Sequence, residues 1–125
     1  MKKILVADDN RLSRELLKTI VKQHGYDVVE AKDGEEVLKI LNQHEIDLIF
    51  MDCSMPNLSG MEVSIQIRNL ESPDKSNVRI VGVSAHGNAI MQECLEAGMN
   101  QYMTKPINIA AVRSVLDSIS NTRKN

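Results

Sequence analysis

The sequence has few aromatic residues, with no tryptophan, one phenylalanine and two tyrosines in 125 residues. Its core must therefore consist of isoleucine, leucine, valine and methionine, and so few rings cannot form a base-stacking surface. The formal net charge of -2 provides no basic surface for a polyanion either. We therefore expect no direct binding of nucleic acid.

The sequence also has few cysteines, only Cys53 and Cys94, and their spacing matches no paired metal-ligand motif. We interpret both as reduced thiols that fill the core. The apolar start of the chain gives way at once to Asp8 and Asp9, unlike a secretory signal. No apolar run is long enough to span a bilayer. These absences predict a cytoplasmic location without direct membrane contact, for a separate protein or for one module of a longer chain.

Hydrophobic residues make up 42% of the chain and charged residues 26%, which is ordinary for a single globular domain of this length. We expect the domain to span residues 1–121, followed by a polar tail at 122–125. Apolar runs of strand length alternate five times with amphipathic helical patterns. The predicted strands are Ile4–Ala7, Val28–Ala31, Asp47–Met51, Val78–Val83 and Gln101–Thr104.

A helical pattern follows each predicted strand, and the fourth pattern covers about Asn88–Ala97. The polar segment Ser72–Asn77, which contains a proline, is predicted to be a surface loop. Such alternation is typical of a parallel sheet with right-handed crossovers and helices on both faces. The sequence therefore predicts an α/β fold, a doubly wound five-stranded parallel sheet flanked by five helices.

The stretch Leu48–Pro56 carries one carboxylate, that of Asp52, at the end of a buried apolar run. In open α/β sheets ligands bind at the carboxyl ends of the strands. Asp52 alone could equally cap the next turn, because Ser54 and Asn57 are typical turn residues. The stretch by itself leaves both interpretations open.

Polar side chains close four of the five predicted strands: Asp8 and Asp9, Asp52, Ser84, and Lys105. Parallel topology makes these groups neighbours at one edge of the sheet. Crowded carboxylates stay ionised only near a cation, and oxygen ligands without Cys or His favour Mg²⁺. Asp52 is then a candidate nucleophile toward phosphorus, while Lys105 neutralises phosphoryl oxygens and Ser84 donates a hydrogen bond.

Each of these residues has a commoner structural role when it is taken singly. Asp8 and Asp9 could begin a helix, where acids favour the macrodipole. Ser84 could cap the following helix, and Lys105 could be a solvated lysine. The joint pattern at four strand ends is what favours phosphoryl chemistry.

Three motifs carry a family resemblance: Ile4–Asp9 with its acidic pair, Met51–Gly60 around Asp52, and Glu96–Pro106 with its closing Lys-Pro. With these motifs the chain resembles the response-regulator receiver domain of two-component signalling over essentially its entire length. The resemblance implies the flavodoxin-like strand order 2-1-3-4-5. The last motif looks most like receivers attached to hybrid histidine kinases.

By position, the resemblance implies that Asp52 is the phosphoacceptor and that Lys105 contacts the phosphoryl group. It implies that Mg²⁺ is held by Asp8, Asp9 and Asp52 together with the backbone carbonyl of Ser54. These roles come from the family and not from spacing alone.

The resemblance also implies a switch, in which Ser84 is drawn toward the phosphate and Tyr102 changes rotamer with it. Ala85 is small and leaves the site open, while His86 and Ser54 flank it at positions that set the lifetime of the phosphoryl group. We interpret His86 as a surface residue. The Lys105–Pro106 peptide bond is expected to be cis in this family.

The implied function is a phosphorylation-activated signalling switch that takes its phosphoryl group from a histidine kinase or a histidine phosphotransfer protein. Its altered surface would change the binding of a downstream protein target. Such a domain is not an enzyme with a separate substrate, although it catalyses its own phosphotransfer and autodephosphorylation.

Three other functions remain as alternatives. A haloacid-dehalogenase-type phosphatase would need a second acid two positions after the nucleophile, where this chain has Ser54. A flavodoxin-like binding module would need a phosphate-cradling loop after the first strand, where Asp8–Asn10 is acidic. A receiver that signals by docking without phosphorylation would not need the intact acid set.

Overall fold

A five-stranded parallel sheet forms the centre of the structure, a computed structural model that describes residues 2–122. The strands lie in the order β2-β1-β3-β4-β5, and every neighbouring pair is parallel. This confirms the predicted α/β class and strand order. The strands are β1 (Lys3–Ala7), β2 (Asp27–Ala31), β3 (Leu48–Asp52), β4 (Arg79–Ser84) and β5 (Gln101–Thr104).

The helices between residues 2 and 122 number six, so the prediction of five helices is wrong. They are α1 (Arg11–Gln23), α2 (Gly34–Gln43), α3 (Gly60–Arg68), α4 (Pro73–Ser76), α5 (Met91–Glu96) and α6 (Ile109–Thr122). The additional helix, α4, is a single turn inside the predicted loop. Pro73 occupies its first turn, where the fixed φ of proline suits a helix, and Ser76 N donates to Ser72 O at 2.8 Å.

Two further boundaries differ from the expected ones. α5 is shorter than the pattern Asn88–Ala97 predicts, because residues 85–90 form turns before the helix begins. The predicted tail at 122–125 begins with Thr122, which still belongs to α6, and its other residues lie outside the described part of the chain. None of the described helices has the length and hydropathy of a membrane span.

Side-chain caps start the first three helices next to the ends of the strands that precede them. Asn10 caps α1, Asp33 caps α2 and Ser59 caps α3, each by accepting a hydrogen bond from a backbone N–H three residues later. Glu62 completes a capping box with Ser59. Each such cap contributes about 1 kcal/mol to helix stability. The caps therefore fix the loops at the carboxyl edge of the sheet.

The sheet buries both of its faces, because alternate side chains of each strand point to opposite sides. One face packs under α1 and α6, and the other packs under α2, α3 and α5. β3 is buried along its whole length, as a continuous apolar run predicts. The first core includes Ile4, Val6, Leu17, Phe50, Val81 and Leu116, and the second includes Leu5, Ile49, Met51, Val63, Ile67 and Ile80.

Arg68, at the end of α3, ties together the connections at the amino edge of the sheet. Its guanidinium donates to Gly98 O at 2.9 and 2.7 Å, to Ser76 O at 2.8 Å and to Val78 O at 2.6 Å. It also donates to Asn100 Oδ1 at 2.9 Å. Sequence reasoning missed this role, because a single arginine at a helix end resembles a solvated residue. The network holds the segments that lead into β4 and β5.

Replacing Arg68 by leucine should lower the free energy of unfolding by roughly 3 kcal/mol, because several carbonyl groups lose a charged donor. Urea denaturation followed by circular dichroism measures this change. Arg113→Leu is the matched control, since Arg113 is exposed on α6 and should change stability by no more than about 0.5 kcal/mol. Equal denaturation midpoints for the two variants would contradict the role given to Arg68.

Candidate functional site

Three carboxylates from neighbouring strand ends meet at the carboxyl edge of the sheet. Asp8 and Asp9 follow β1, and Asp52 ends β3, which pairs directly with β1. One ligand atom from each carboxylate lies within 4.8 Å of the others. Asp8 and Asp52 are buried, whereas Asp9 is exposed. The acidic cluster therefore has a buried floor and a rim that is open to solvent.

Lys105 brings a positive charge to this cluster from the end of β5. Its Nζ lies 3.1 Å from Asp8 Oδ2 and 3.4 Å from Asp52 Oδ2. Its backbone N–H donates to Ser84 O at 2.7 Å, and the Lys105–Pro106 peptide bond is cis, as the resemblance implied. Burial disfavours the ammonium, but Asp8 and Asp52 outweigh burial and raise the pKa of Lys105. Lys105 is therefore a fixed cation beside both buried acids.

The carboxyl group of Asp52 is held in a surrounding that disfavours its charge. Burial raises its pKa to about 7, the backbone N–H of Ser54 opposes this rise, and Asp8 adds to it. The Ser54 N–H donates to Asp52 Oδ1 at 3.0 Å. A single ammonium, that of Lys105, does not neutralise the cluster. More positive charge at this edge would restore full ionisation of Asp52.

Asp8 shows that the cluster suits a hard cation. Its Oδ1 accepts from Asn10 N at 2.8 Å, whereas Oδ2 is the one buried side-chain oxygen or nitrogen between residues 2 and 120 that has no hydrogen-bond partner. The ion pair with Lys105 reaches this atom without hydrogen-bond geometry. A buried carboxylate oxygen with unused lone pairs, beside two further carboxylates, is a donor set that fits Mg²⁺.

The predicted flanking residues lie on the loops that follow β3 and β4. Ser54 Oγ and His86 Nε2 are 3.2 Å apart, so a hydrogen bond joins the two loops. Both residues and Ala85 are exposed, as is Pro106 beyond β5. His86 is thus a surface residue, but one with a specific partner beside the acidic cluster.

The two predicted switch residues contact the loop after β4. Ser84 is buried, and its Oγ accepts from the backbone N–H of His86 at 3.0 Å. The hydroxyl of Tyr102 donates to the carbonyl of Gly87. Among the described residues, neither hydroxyl has a hydrogen bond to Asp8, Asp9 or Asp52. The structure therefore brings the three acids together with Lys105, whereas Ser84, at the end of β4, and Tyr102, in β5, contact the adjacent loop.

Gly60, which belongs to the second motif, packs closely against the backbone at the end of β3. Its backbone N–H donates to Cys53 O at 3.1 Å, which turns α3 back over the end of β3. A Cβ at this position would collide with the carbonyl oxygen of Asp52 and the Cα of Cys53. Only glycine permits so close an approach, so this residue helps to fix the backbone of Asp52.

Asn10 and Arg14 support the site, and sequence reasoning did not single them out. Asn10 donates its backbone N–H to Asp8 Oδ1 and caps α1. Arg14 Nη1 donates to Asp8 O at 3.0 Å, and its Nε pairs with Glu30 Oε1 at 3.0 Å. The cap could have been found from an asparagine before an amphipathic pattern. The role of Arg14 depends on the pairing of β1 with β2 and has no local signal.

Residues 4–117 match the family model described as the response regulator receiver domain. The chain belongs to this family. The receiver domain is 35% identical over 122 residues to hybrid signal transduction histidine kinase I of Dictyostelium discoideum and 40% identical over 109 residues to the CAI-1 autoinducer sensor kinase/phosphatase CqsS of Vibrio cholerae. These matches cover 93% and 84% of this chain but only 7% and 15% of the two relatives.

A solved structure similar to the receiver domain is the receiver domain of sensor histidine kinase PA1611 from Pseudomonas aeruginosa PAO1. The TM-score is 0.86 at 29% identity, and the match covers 95% of this chain and 98% of that one. That protein was solved with a magnesium ion coordinated in its active-site cleft. The predicted family is thus confirmed, and the chain is a signalling domain of two-component systems.

Replacing Asp52 by asparagine should stabilise the receiver domain when divalent cations are absent. The pKa of Asp52 is raised from 3.8 to about 7, so the folded state binds more protons than the unfolded state between about pH 4 and pH 7. The wild type therefore loses stability across this range as pH rises. At pH 8 the variant should be more stable by roughly 2 kcal/mol, because each pKa unit is worth about 1.4 kcal/mol and solvent screening at the open rim of the site reduces the full value.

Urea denaturation at pH 4, 6 and 8 in the presence of a chelator measures this difference. Asp27→Asn is the control, since Asp27 is exposed on β2 and should give a small difference at every pH. A constant difference between Asp52→Asn and wild type from pH 4 to pH 8 would contradict the raised pKa.

Proposed function

We propose that Asp52 is the phosphoacceptor of a phosphorylation-activated switch. The observation that carries this proposal is the set of three carboxylates within 4.8 Å, with the Lys105 ammonium 3.4 Å from Asp52 Oδ2. A carboxylate is a competent nucleophile toward phosphorus when its own charge and that of the phosphoryl group are balanced. The membership of the chain in the receiver family supports the same assignment.

In the proposed reaction a carboxylate oxygen of Asp52 attacks the phosphorus of a phosphohistidine. The phosphorus–nitrogen bond breaks as the phosphorus–oxygen bond forms, and the departing imidazole nitrogen takes up a proton. Ser54 N–H fixes the rotation of the carboxylate, and Lys105 neutralises phosphoryl oxygens as they arrive. Water hydrolyses the acyl phosphate later, so the domain catalyses both its phosphotransfer and its autodephosphorylation.

We assign Asp8, Asp9 and Asp52, with the backbone carbonyl of Ser54, as the ligands of Mg²⁺. When bound, the ion supplies the positive charge that lets the acids and the phosphoryl group lie together. The unpartnered Oδ2 of Asp8 and the exposed carboxylate of Asp9 support this assignment. The related Pseudomonas receiver, with its magnesium ion, supports the choice of metal.

We assign Ser84 and Tyr102 as the residues that respond to phosphorylation. A new dianion at Asp52 attracts hydroxyl donors, and Ser84 lies next to the β4 residue that pairs with Asp52. When Ser84 turns toward the phosphoryl group, it gives up its hydrogen bond with His86 N–H. The loop of residues 85–87 then depends on the remaining contacts of His86 and on Tyr102. A local gain of charge thereby changes the surface around α5 and β5.

The phosphoryl donor in this proposal is a histidine kinase or a histidine phosphotransfer protein, and the responding surface binds a downstream protein target. The similarity to two sensor kinases supports the first part. We assign the domain to residues 1–121 and its place of action to the cytoplasm. No direct contact with nucleic acid or membrane is part of this function.

Exposure of the wild-type domain to acetyl phosphate and Mg²⁺ should add one phosphoryl group, which intact-mass spectrometry detects. Hydroxylamine should remove the group, because an acyl phosphate is labile whereas a phosphate ester is not. Asp52→Asn should gain no phosphoryl group, and the control Asp27→Asn should behave as wild type. If Asp52→Asn is phosphorylated at the wild-type rate, the assignment of the phosphoacceptor is wrong.

Replacing Asp9 by asparagine should weaken Mg²⁺ binding roughly tenfold, which corresponds to about 1.4 kcal/mol, because the ion loses one charged ligand. Calorimetric titration with MgCl₂ measures the dissociation constant. Since Asp9 is exposed, the variant should unfold at the wild-type urea concentration when Mg²⁺ is absent. An unchanged dissociation constant would exclude Asp9 from the ligand set.

A further inference from the structure

Cys53 and Cys94 lie against each other in the core, although 41 positions separate them in the sequence. Their sulfur atoms are 3.3 Å apart, and both side chains are buried as free thiols. Cys53 directly follows Asp52 at the end of β3, and Cys94 belongs to α5. We propose that these two thiols form a redox-sensitive site, in which oxidation by a hydroperoxide creates a reversible disulfide that fastens α5 to the phosphoacceptor strand.

The positions of the two sulfur atoms support bond formation. A disulfide joins sulfurs about 2.05 Å apart, so these atoms need to approach by little more than about 1 Å. Gly82 on β4 lies beside Cys53, because a Cβ there would be in van der Waals contact with Cys53 Sγ at 3.4 Å. The two thiols are therefore already neighbours in the core of the reduced domain.

Oxidation of the pair by a hydroperoxide takes two steps. A thiolate sulfur, formed when one thiol gives its proton to water, attacks the peroxide; the O–O bond breaks, the leaving oxygen takes up a proton, and a sulfenic acid and one water or alcohol molecule form. The second thiol sulfur attacks the sulfenic sulfur, the S–O bond breaks, and water leaves with the thiol proton. Two electrons pass from the thiols to the peroxide, and a dithiol reductant reverses the process by exchange. In a reducing compartment such a disulfide is transient.

Access to the buried pair comes from the α5 side. α5 has six residues and no side-chain N-cap, and exposed turn residues at 85–89 precede it, with Gly87 at a φ of +58°. The backbone of Cys53 is held by Val83 O at 2.9 Å and by Gly60 N at 3.1 Å. Local opening therefore exposes Cys94 before Cys53, because short helices with few anchors open at low cost. When α5 closes again, it returns the oxidised sulfur to its partner.

A disulfide at this position would change the mechanics of the site without altering its charge. Ser54, which holds Asp52 Oδ1 through its backbone, is the next residue after Cys53. The disulfide would join this segment covalently to α5, which in the reduced domain is held against it only by noncovalent packing. The oxidised domain should therefore have an α5 that opens less often.

The test treats the reduced, metal-free wild-type domain with hydrogen peroxide, then denatures it and alkylates its free thiols before intact-mass spectrometry. We expect a monomer that has lost two hydrogen atoms and accepts no alkyl group, and dithiothreitol should restore two alkylation sites. Because the chain has only two cysteines, a disulfide within a monomer must join Cys53 to Cys94. Two alkylated thiols, sulfinic acids or disulfide-linked dimers as the main product would overturn the proposal.

Hydrogen exchange of the backbone amides of residues 91–96 tests whether the disulfide restricts the opening of α5. These amides should exchange roughly tenfold more slowly in the oxidised domain, because the cross-link limits local opening. Equal exchange in the two forms would overturn the fastening of α5. Cys94→Ala should keep the exchange rate of treated and untreated protein equal. Even if this variant folds poorly, the mass measurement on the wild type determines whether the disulfide forms.

Asp52→Asn should form the disulfide as readily as wild type, because no step of the oxidation uses the carboxylate. This variant separates the redox site from the proposed phosphotransfer. If Asp52→Asn gains no phosphoryl group but still forms the disulfide, the thiol site is independent of the phosphoacceptor. Wild-type protein that is phosphorylated normally but forms no disulfide would overturn the thiol site alone.

Discussion

The charge balance among Asp8, Asp52 and Lys105 is the interaction on which the site depends. Two buried carboxylates share one ammonium, so the cluster is short of positive charge. Burying a charge costs several kcal/mol unless partners compensate for it. The acidic cluster therefore fits a divalent cation, which would supply the missing positive charge.

Parallel topology creates this cluster from residues that are far apart in the chain. Asp52 and Lys105 are separated by 53 positions, yet each ends or follows a strand of one sheet. The strands meet the cluster at the same edge because every neighbouring pair is parallel. Gly60 and the caps at Asn10 and Ser59 then fix the loops around it. The fold brings the residues of the cluster together, and local contacts fix the orientation of the loops around it.

Sequence reasoning could find the parts of the molecule that have a local signal or a topological rule. The strands could be read from apolar runs, and the meeting of Asp8, Asp9, Asp52 and Lys105 follows from the common direction of parallel strands. The contacts of Arg68 with three backbone carbonyl groups have no such signal, since they depend on how two connections pack. The same holds for the 3.3 Å separation of Cys53 and Cys94, which sequence reasoning treated only as small core residues. A single helical turn such as α4 is too short to show periodicity.

The exposed loop of residues 85–87 lies beside the acidic cluster and contacts residues from three strand ends. Ser84 holds it by accepting from His86 N–H, Ser54 holds it through the His86 ring, and Tyr102 holds it at the Gly87 carbonyl. Each of these three contacts involves a residue within two positions of a strand end: Ser84 ends β4, Ser54 follows β3, and Tyr102 lies in β5. In the proposed switch, a change at Asp52 would act first on these contacts of the loop. Because α5 begins at Met91, the backbone of residues 88–90 would in this proposal carry the response from the loop to α5.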